Sequence, residues 1–176
     1  MLKLKELLEI QEDFTKTINA PVSLQDYLFA LNIELAEFLN TLPWKWWKRL
    51  QTVDKEKILD ELADVLAFFL SYYNLYLKEY SCPIKDQSKE EKNGVVDSII
   101  FKLELGITRA VQQKSHDIKD TVYFDKFGMS NPEVVGFRIG RLIKMAMNAT
   151  KADFDEVITA YKKKMDINHH RQYVGY

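Results

Sequence analysis

Four carboxylates at paired spacing are the feature of this chain most able to do chemistry. Glu34 and Glu37 lie three apart in N-I-E-L-A-E-F-L, and Glu61 and Asp64 lie three apart in I-L-D-E-L-A-D-V-L. On a helix, residues three apart share one face. At about 100° per residue, both pairs fall beside the apolar stripe of their helix rather than within it. A short connection makes the two helices antiparallel neighbours, so the pairs can face one another. Four anions at close range repel, and either protonation or a bound cation relieves this. With oxygen donors alone the fitting cation is hard, Mg²⁺ or Mn²⁺ in its place. Mg²⁺ readily shares its shell with substrate phosphates, which points to a nucleotide. A di-iron carboxylate bundle would need Glu-x-x-His on its helices, and the histidines, His116, His169 and His170, lie far along the chain from these pairs. The same spacing also suits glutamates on a solvated helix face, and spacing alone leaves both readings open.

Two further segments carry suitable groups. Trp44-Lys45-Trp46-Trp47-Lys48 sits between the two acidic helices. Indoles offer flat faces to a base and lysines offer charge to phosphates; equally, the tryptophans can staple the loop to the core. At the other end, Lys164, Asn168 and Arg171 recur at intervals of four and three, aligned if the helix continues that far. Arginine gives bidentate phosphate contacts and lysine a mobile charge, and asparagine can complement a pyrimidine edge. The alternative is a frayed, solvated terminus, with His169 and His170 turned to solvent. No nucleophile motif is evident, and Cys82 falls in a polar loop.

The elements that must position these groups read as helices. Leu2 to Ile18 carries Leu4, Leu7, Leu8 and Phe14 at helical spacing. Ser23, with Asp26 three residues on, caps a second helix striped by Leu24, Leu28, Leu31, Leu35, Phe38 and Leu39 and ended by Pro43. A third spans about Asp54 to Lys78, striped by Ile58, Leu62, Val65, Leu66 and Phe69. Ser81 to Gly94 is polar and breaker-rich, which predicts a loop. A fourth helix is expected over Val95 to Lys114. Asn131-Pro132-Glu133 reads as a helix start; that helix ends near Thr150, and its Gly136 and Gly140 share a face that permits close packing. The last helix is expected from Asp153 to Met165, followed by a polar tail. No segment alternates like a strand, so the fold class is all-α, a bundle of about six helices in a single domain.

Composition bounds the rest. The 176 residues are 47% apolar and 29% charged, within the globular range. Lys plus Arg is 25 and Asp plus Glu 26, a net charge of −1, so no bulk field draws nucleic acid or an anionic membrane, and any anion site must be local. A single cysteine rules out an internal disulfide and fits a reducing compartment. The first residues carry charges throughout and lack the apolar core of a signal peptide, so no targeting signal is expected, and the most apolar stretch, Val65 to Leu77, is too short to span a bilayer. A cytoplasmic location is the expectation.

Together these residues resemble the all-α dimeric dUTPase family, within the wider MazG-like all-α NTP pyrophosphohydrolases. The wider group shares E-x-x-E followed by E-x-x-D on the next helix. Three matches narrow it: Gln11 in the first helix, the W-K-W-W-K loop, and the tail K-x-x-x-N-x-x-R-Q-x-x-G-Y, here Lys164, Asn168, Arg171, Gln172, Gly175 and Tyr176. The likeness covers nearly the whole chain. It implies Mg²⁺-dependent hydrolysis of dUTP to dUMP and pyrophosphate, and of dUDP to dUMP, keeping uracil out of DNA. By the same resemblance the four carboxylates hold the metal and Glu34 orients the attacking water. Lys164, Arg171 and Tyr176 close on the phosphates, and Lys45, Trp47 and Lys48 contact substrate. Gln11 and Asn168 face uracil and sugar. A homodimer is implied, with residues 165–176 as a lid ordered by substrate. Two other readings compete: a related pyrophosphohydrolase acting on another base, such as dCTP, and a helical interaction protein without catalysis.

Overall fold

The computed structural model describes residues 2–45, 47–49, 52–80, 89–108 and 132–175. Among them are six helices and no strand: α1 Leu2–Thr15, α2 Leu24–Thr41, α3 Lys55–Tyr80, α4 Lys89–Thr108, α5 Pro132–Thr150 and α6 Phe154–Tyr173. The all-α expectation holds.

The helices begin where the side chains dictate. At Ser23 the hydroxyl accepts from Asp26 N, and the Asp26 carboxylate accepts from Ser23 N at 2.8 Å, a reciprocal cap that fixes the start of α2. Asp153 and Glu156 do the same for α6. Asp54 caps α3 by accepting from Lys57 N.

α3 is the axis of the bundle and packs against α1, α2, α5 and α6. Its apolar stretch explains this: Leu62, Ala63, Val65, Leu66, Ala67, Phe69, Leu70, Tyr72 and Tyr73 are all buried, and a helix that is apolar nearly all round belongs in the middle of a domain. No helix among the described residues is long and apolar enough to cross a membrane.

α4 and α5 make the closest helix pair. A Cβ on Gly140 would stand 2.1 Å from the Leu103 carbonyl oxygen, and one on Gly106 2.2 Å from that of Phe137. Only glycine allows this backbone approach. The expected use of Gly140 is realised, with Gly106 of α4 as its counterpart.

Four expectations need correction. Residues 89–94, read as loop, form the first turns of α4, because Lys89, Glu90, Glu91 and Lys92 are good helix formers and outweigh Asn93 and Gly94. Residues 109–114, the Asn131 cap, Cys82 and His116 lie outside the described residues. α1 stops at Thr15, short of Ile18; the Thr17 and Ile18 amides bond three residues back, to Phe14 and Thr15, in a tightening turn. At the C-terminus α6 runs past Met165 to Tyr173. Met165 is buried, and His169, one turn on, sets its ring edge-on to Phe14 of α1 at 5.1 Å. His169 is therefore not turned to solvent. His170 and Arg171 in the last turn also complement the helix dipole.

Candidate active site

α2 and α3 pack side by side and bring the carboxylate pairs together. Oxygens of Glu34, Glu61 and Asp64 all lie within 4.8 Å of one another. Glu37 is exposed at the rim, close enough for its charge to act on Glu34 and Glu61. Burial, then the charges of Asp64, Glu37 and Glu61, push the Glu34 carboxyl up to about 7, with Lys164 pulling the other way. Glu61 is raised by burial and by Asp64 and Glu37. Such a set favours protons or a cation over four bare anions, and all-oxygen donors at this spacing fit a hard divalent metal.

Lys164 reaches this cluster from α6. Its Nζ lies 2.7 Å from Asp64 Oδ2 and 2.9 Å from Asp60 Oδ2. Burial opposes the Lys164 charge, but the hydrogen bonds to Asp64 and Asp60 outweigh it and raise the pKa. Burial likewise raises the Asp64 carboxyl in spite of the Lys164 bond. Asp60, beside the cluster and paired with Lys164, is a neighbour that sequence reasoning missed. Its spacing of four from Asp64 was the available signal, since that places both on the face that meets α6.

Among the described residues, three cavities touch the carboxylates, one of them, about 660 Å³, lined by Lys57, Asp60, Glu61, Glu156 and Lys163 among others; the other two carry residues of the sequence motifs. The smaller of these two, of about 240 Å³, is lined by Gln11, Tyr27, Asp64, Asn168, Arg171 and Gln172, among others. Gln11 and Asn168, from opposite ends of the chain, thus meet across a space that also touches Asp64. The second, of about 470 Å³, is lined by Glu37, Asn40, Thr52, Asp54, Lys57 and Glu61. Lys57 is a basic group at this cavity that the sequence did not single out.

The tryptophan loop divides by residue. Trp44 is structural: its indole N–H donates to the Leu39 carbonyl at 2.6 Å and its ring meets Trp47 edge-on at 5.5 Å. Trp47 itself is 55% exposed. Lys45 Nζ donates to Asn40 Oδ1 at 2.7 Å, at the edge of the second cavity, and Lys48 is exposed. None of Lys45, Trp47 and Lys48 lines either cavity. Trp46 and Tyr176 lie outside the described residues.

The all-helical bundle thus holds facing carboxylates beside these cavities. The dUTPase family model matches residues 3–176, and the chain belongs to that family. It is an enzyme, a dUTP diphosphatase, with a nucleotide as substrate. No curated protein matches closely enough to add to this.

Proposed function

We propose that this dUTPase converts dUTP to dUMP and pyrophosphate with Mg²⁺ held by Glu34, Glu37, Glu61 and Asp64, that Mn²⁺ can replace Mg²⁺, and that dUDP is also a substrate. The convergence of Glu34, Glu61 and Asp64 oxygens beside the cavity shared by Gln11, Asn168 and Arg171 carries this reading. The metal, when bound, neutralises charge on the phosphate oxygens, which phosphoryl chemistry needs more than a covalent nucleophile. The protein does the rest. Gln11 and Asn168 bind the base and sugar in the smaller cavity. Arg171 and Lys164 meet the phosphates, Lys164 by turning from Asp60 and Asp64. Lys45, Trp47 and Lys48 approach from the loop above the second cavity, which suits the pyrophosphate end. Glu34, the most strongly perturbed carboxyl, accepts a hydrogen bond from the attacking water and aligns it.

The chain acts as one domain, 1–176. Its C-terminal segment, residues 165–176, closes over substrate as a lid. Arg171, Tyr173 and Val174 there are exposed and can gain contacts when phosphates bind. A homodimer is favoured by the exposed Phe29 and Ile33, one turn apart on α2, and by Phe101 on α4. The enzyme acts in the cytoplasm and keeps uracil out of DNA. The decisive test is pyrophosphate release from dUTP, dCTP, dTTP and dATP with Mg²⁺ and with excess EDTA. Turnover confined to dUTP and abolished by EDTA is expected; equal kcat/KM for dUTP and dCTP would remove the base assignment, and full turnover in EDTA the metal.

A further inference from the structure

Gln11 is 1% exposed, yet it lines the smaller cavity. Two buried hydroxyls hold it. Tyr161, 0% exposed, donates its O–H to Gln11 Oε1 at 2.7 Å, and Gln11 Nε2 donates to Ser71 Oγ at 2.9 Å. Ser71 is buried as well and is hydrogen-bonded with Tyr27, which also bonds Thr15. The bonds come from α3 and α6, so two helices grip the side chain of a third.

A primary amide has two orientations related by a flip that exchanges its donor and its acceptor. Tyr161 removes that freedom. Burial disfavours its phenolate and raises its pKa, so the hydroxyl stays a donor. The other acceptor within its reach, the Leu7 carbonyl, is 3.5 Å away, beyond the range of a good O–H···O bond. A flipped Gln11 would set its NH₂ against the Tyr161 O–H and leave that buried donor poorly satisfied.

We propose that Tyr161 and Ser71 are specificity-determining positioning residues, which fix the Gln11 amide in one orientation so that the cavity suits a uracil edge and opposes a cytosine edge. The two bases differ along that edge by the same exchange: uracil has a carbonyl at C4 and N–H at N3, and cytosine an amine at C4 and a bare N3. After Ser71 takes one Nε2 hydrogen, the other remains a donor, which a base carbonyl satisfies and a base amine does not. A site built this way rejects the mispaired base because buried polar groups are then left unmatched.

The inference rests on the smaller cavity being the base site, and one experiment separates the two. The ratio of kcat/KM for dUTP to that for dCTP is measured for the wild type, Gln11→Ala, Tyr161→Phe, Ser71→Ala and the Gln11→Ala/Tyr161→Phe pair. Tyr161→Phe and Ser71→Ala should each lower the ratio about tenfold with helix content unchanged, part of it as a gain for dCTP. In the Gln11→Ala background, Tyr161→Phe should lower it no further, a dependence that a merely structural hydroxyl would not show. If both single hydroxyl variants keep the wild-type ratio while Gln11→Ala lowers it, the clamp is wrong and the base site stands. If Gln11→Ala also leaves the ratio unchanged, the base site falls with it. Should Tyr161→Phe fail to fold, Ser71→Ala decides by the same criterion.

Discussion

The α4–α5 and α2–α3 seams join helices in opposite ways. In the first, Gly106 and Gly140 bring two backbones to a separation no other residue permits. In the second, Glu34, Glu61 and Asp64 gather like charges whose carboxyl pKa values rise because neither burial nor proximity suits them. One seam is close-packed backbone; the other holds like charges that Lys164 offsets only in part, leaving repulsion for a metal cation or protons to relieve. The contrast teaches where binding is located in an all-helical protein: a seam that packs perfectly has no space for a ligand, and a seam that can bind one carries unfavourable interactions in its absence.

Substitution at the charged seam should give the largest effect on activity. Glu61→Gln or Asp64→Asn keeps shape and removes one anion; kcat/KM for dUTP should fall by about 10³-fold or more, while circular dichroism shows the fold intact. Equal activity would break the comparison at its functional end.

The glycine seam should respond the other way. Gly140→Ala places a methyl against the Leu103 carbonyl, and overpacking of this kind costs about 2–3 kcal/mol. That corresponds to a fall in Tm of roughly 4–12 °C for a chain of this size. At a temperature where the variant is folded, kcat/KM should match the wild type. A normal Tm would show that the helices separate freely.

Part of this contrast was legible in the sequence, and the division has a physical basis. The carboxylate pairs, the Ser23 cap and the packing role of Gly140 depend on spacing within a helix, which a sequence displays directly. The Gln11–Ser71 and Gln11–Tyr161 bonds join positions 60 and 150 residues apart, and no local pattern encodes them. Asp60 was missed because its partner, Lys164, lies on another helix. The extension of α6 to Tyr173 was missed because its polar end looks like a tail until Met165 and His169 are seen against the core. The bond of Lys45 to Asn40 could likewise be known only from the fold.

A smaller effect should appear with pH. In the metal-free protein the Glu34 carboxyl is raised from 4.5 to about 7, and Glu61 and Asp64 are also raised. Between pH 4.5 and 7 the folded state then binds more protons than the unfolded one, so stability falls as pH rises. Since Glu34 is only half-buried, solvent screening reduces the effect to about 1 kcal/mol. Carboxyls with lowered pKa, such as Asp26 and Glu156, act in the opposite sense, in a more acidic window. Thermal melts in EDTA should therefore show a higher Tm at pH 5 than at pH 8. A flat or rising profile would mean the carboxylates are not coupled.

The claim that the α2–α3 seam is strained without a cation and relieved by one is tested most directly by the Tm of the wild type and Glu61→Gln at pH 8, each in EDTA and in Mg²⁺. The wild type should gain several degrees with Mg²⁺. Glu61→Gln should melt at or above the wild type in EDTA and gain little from the metal. A Glu61→Gln protein that melts below the wild type in EDTA, or gains as much from Mg²⁺, would contradict the account.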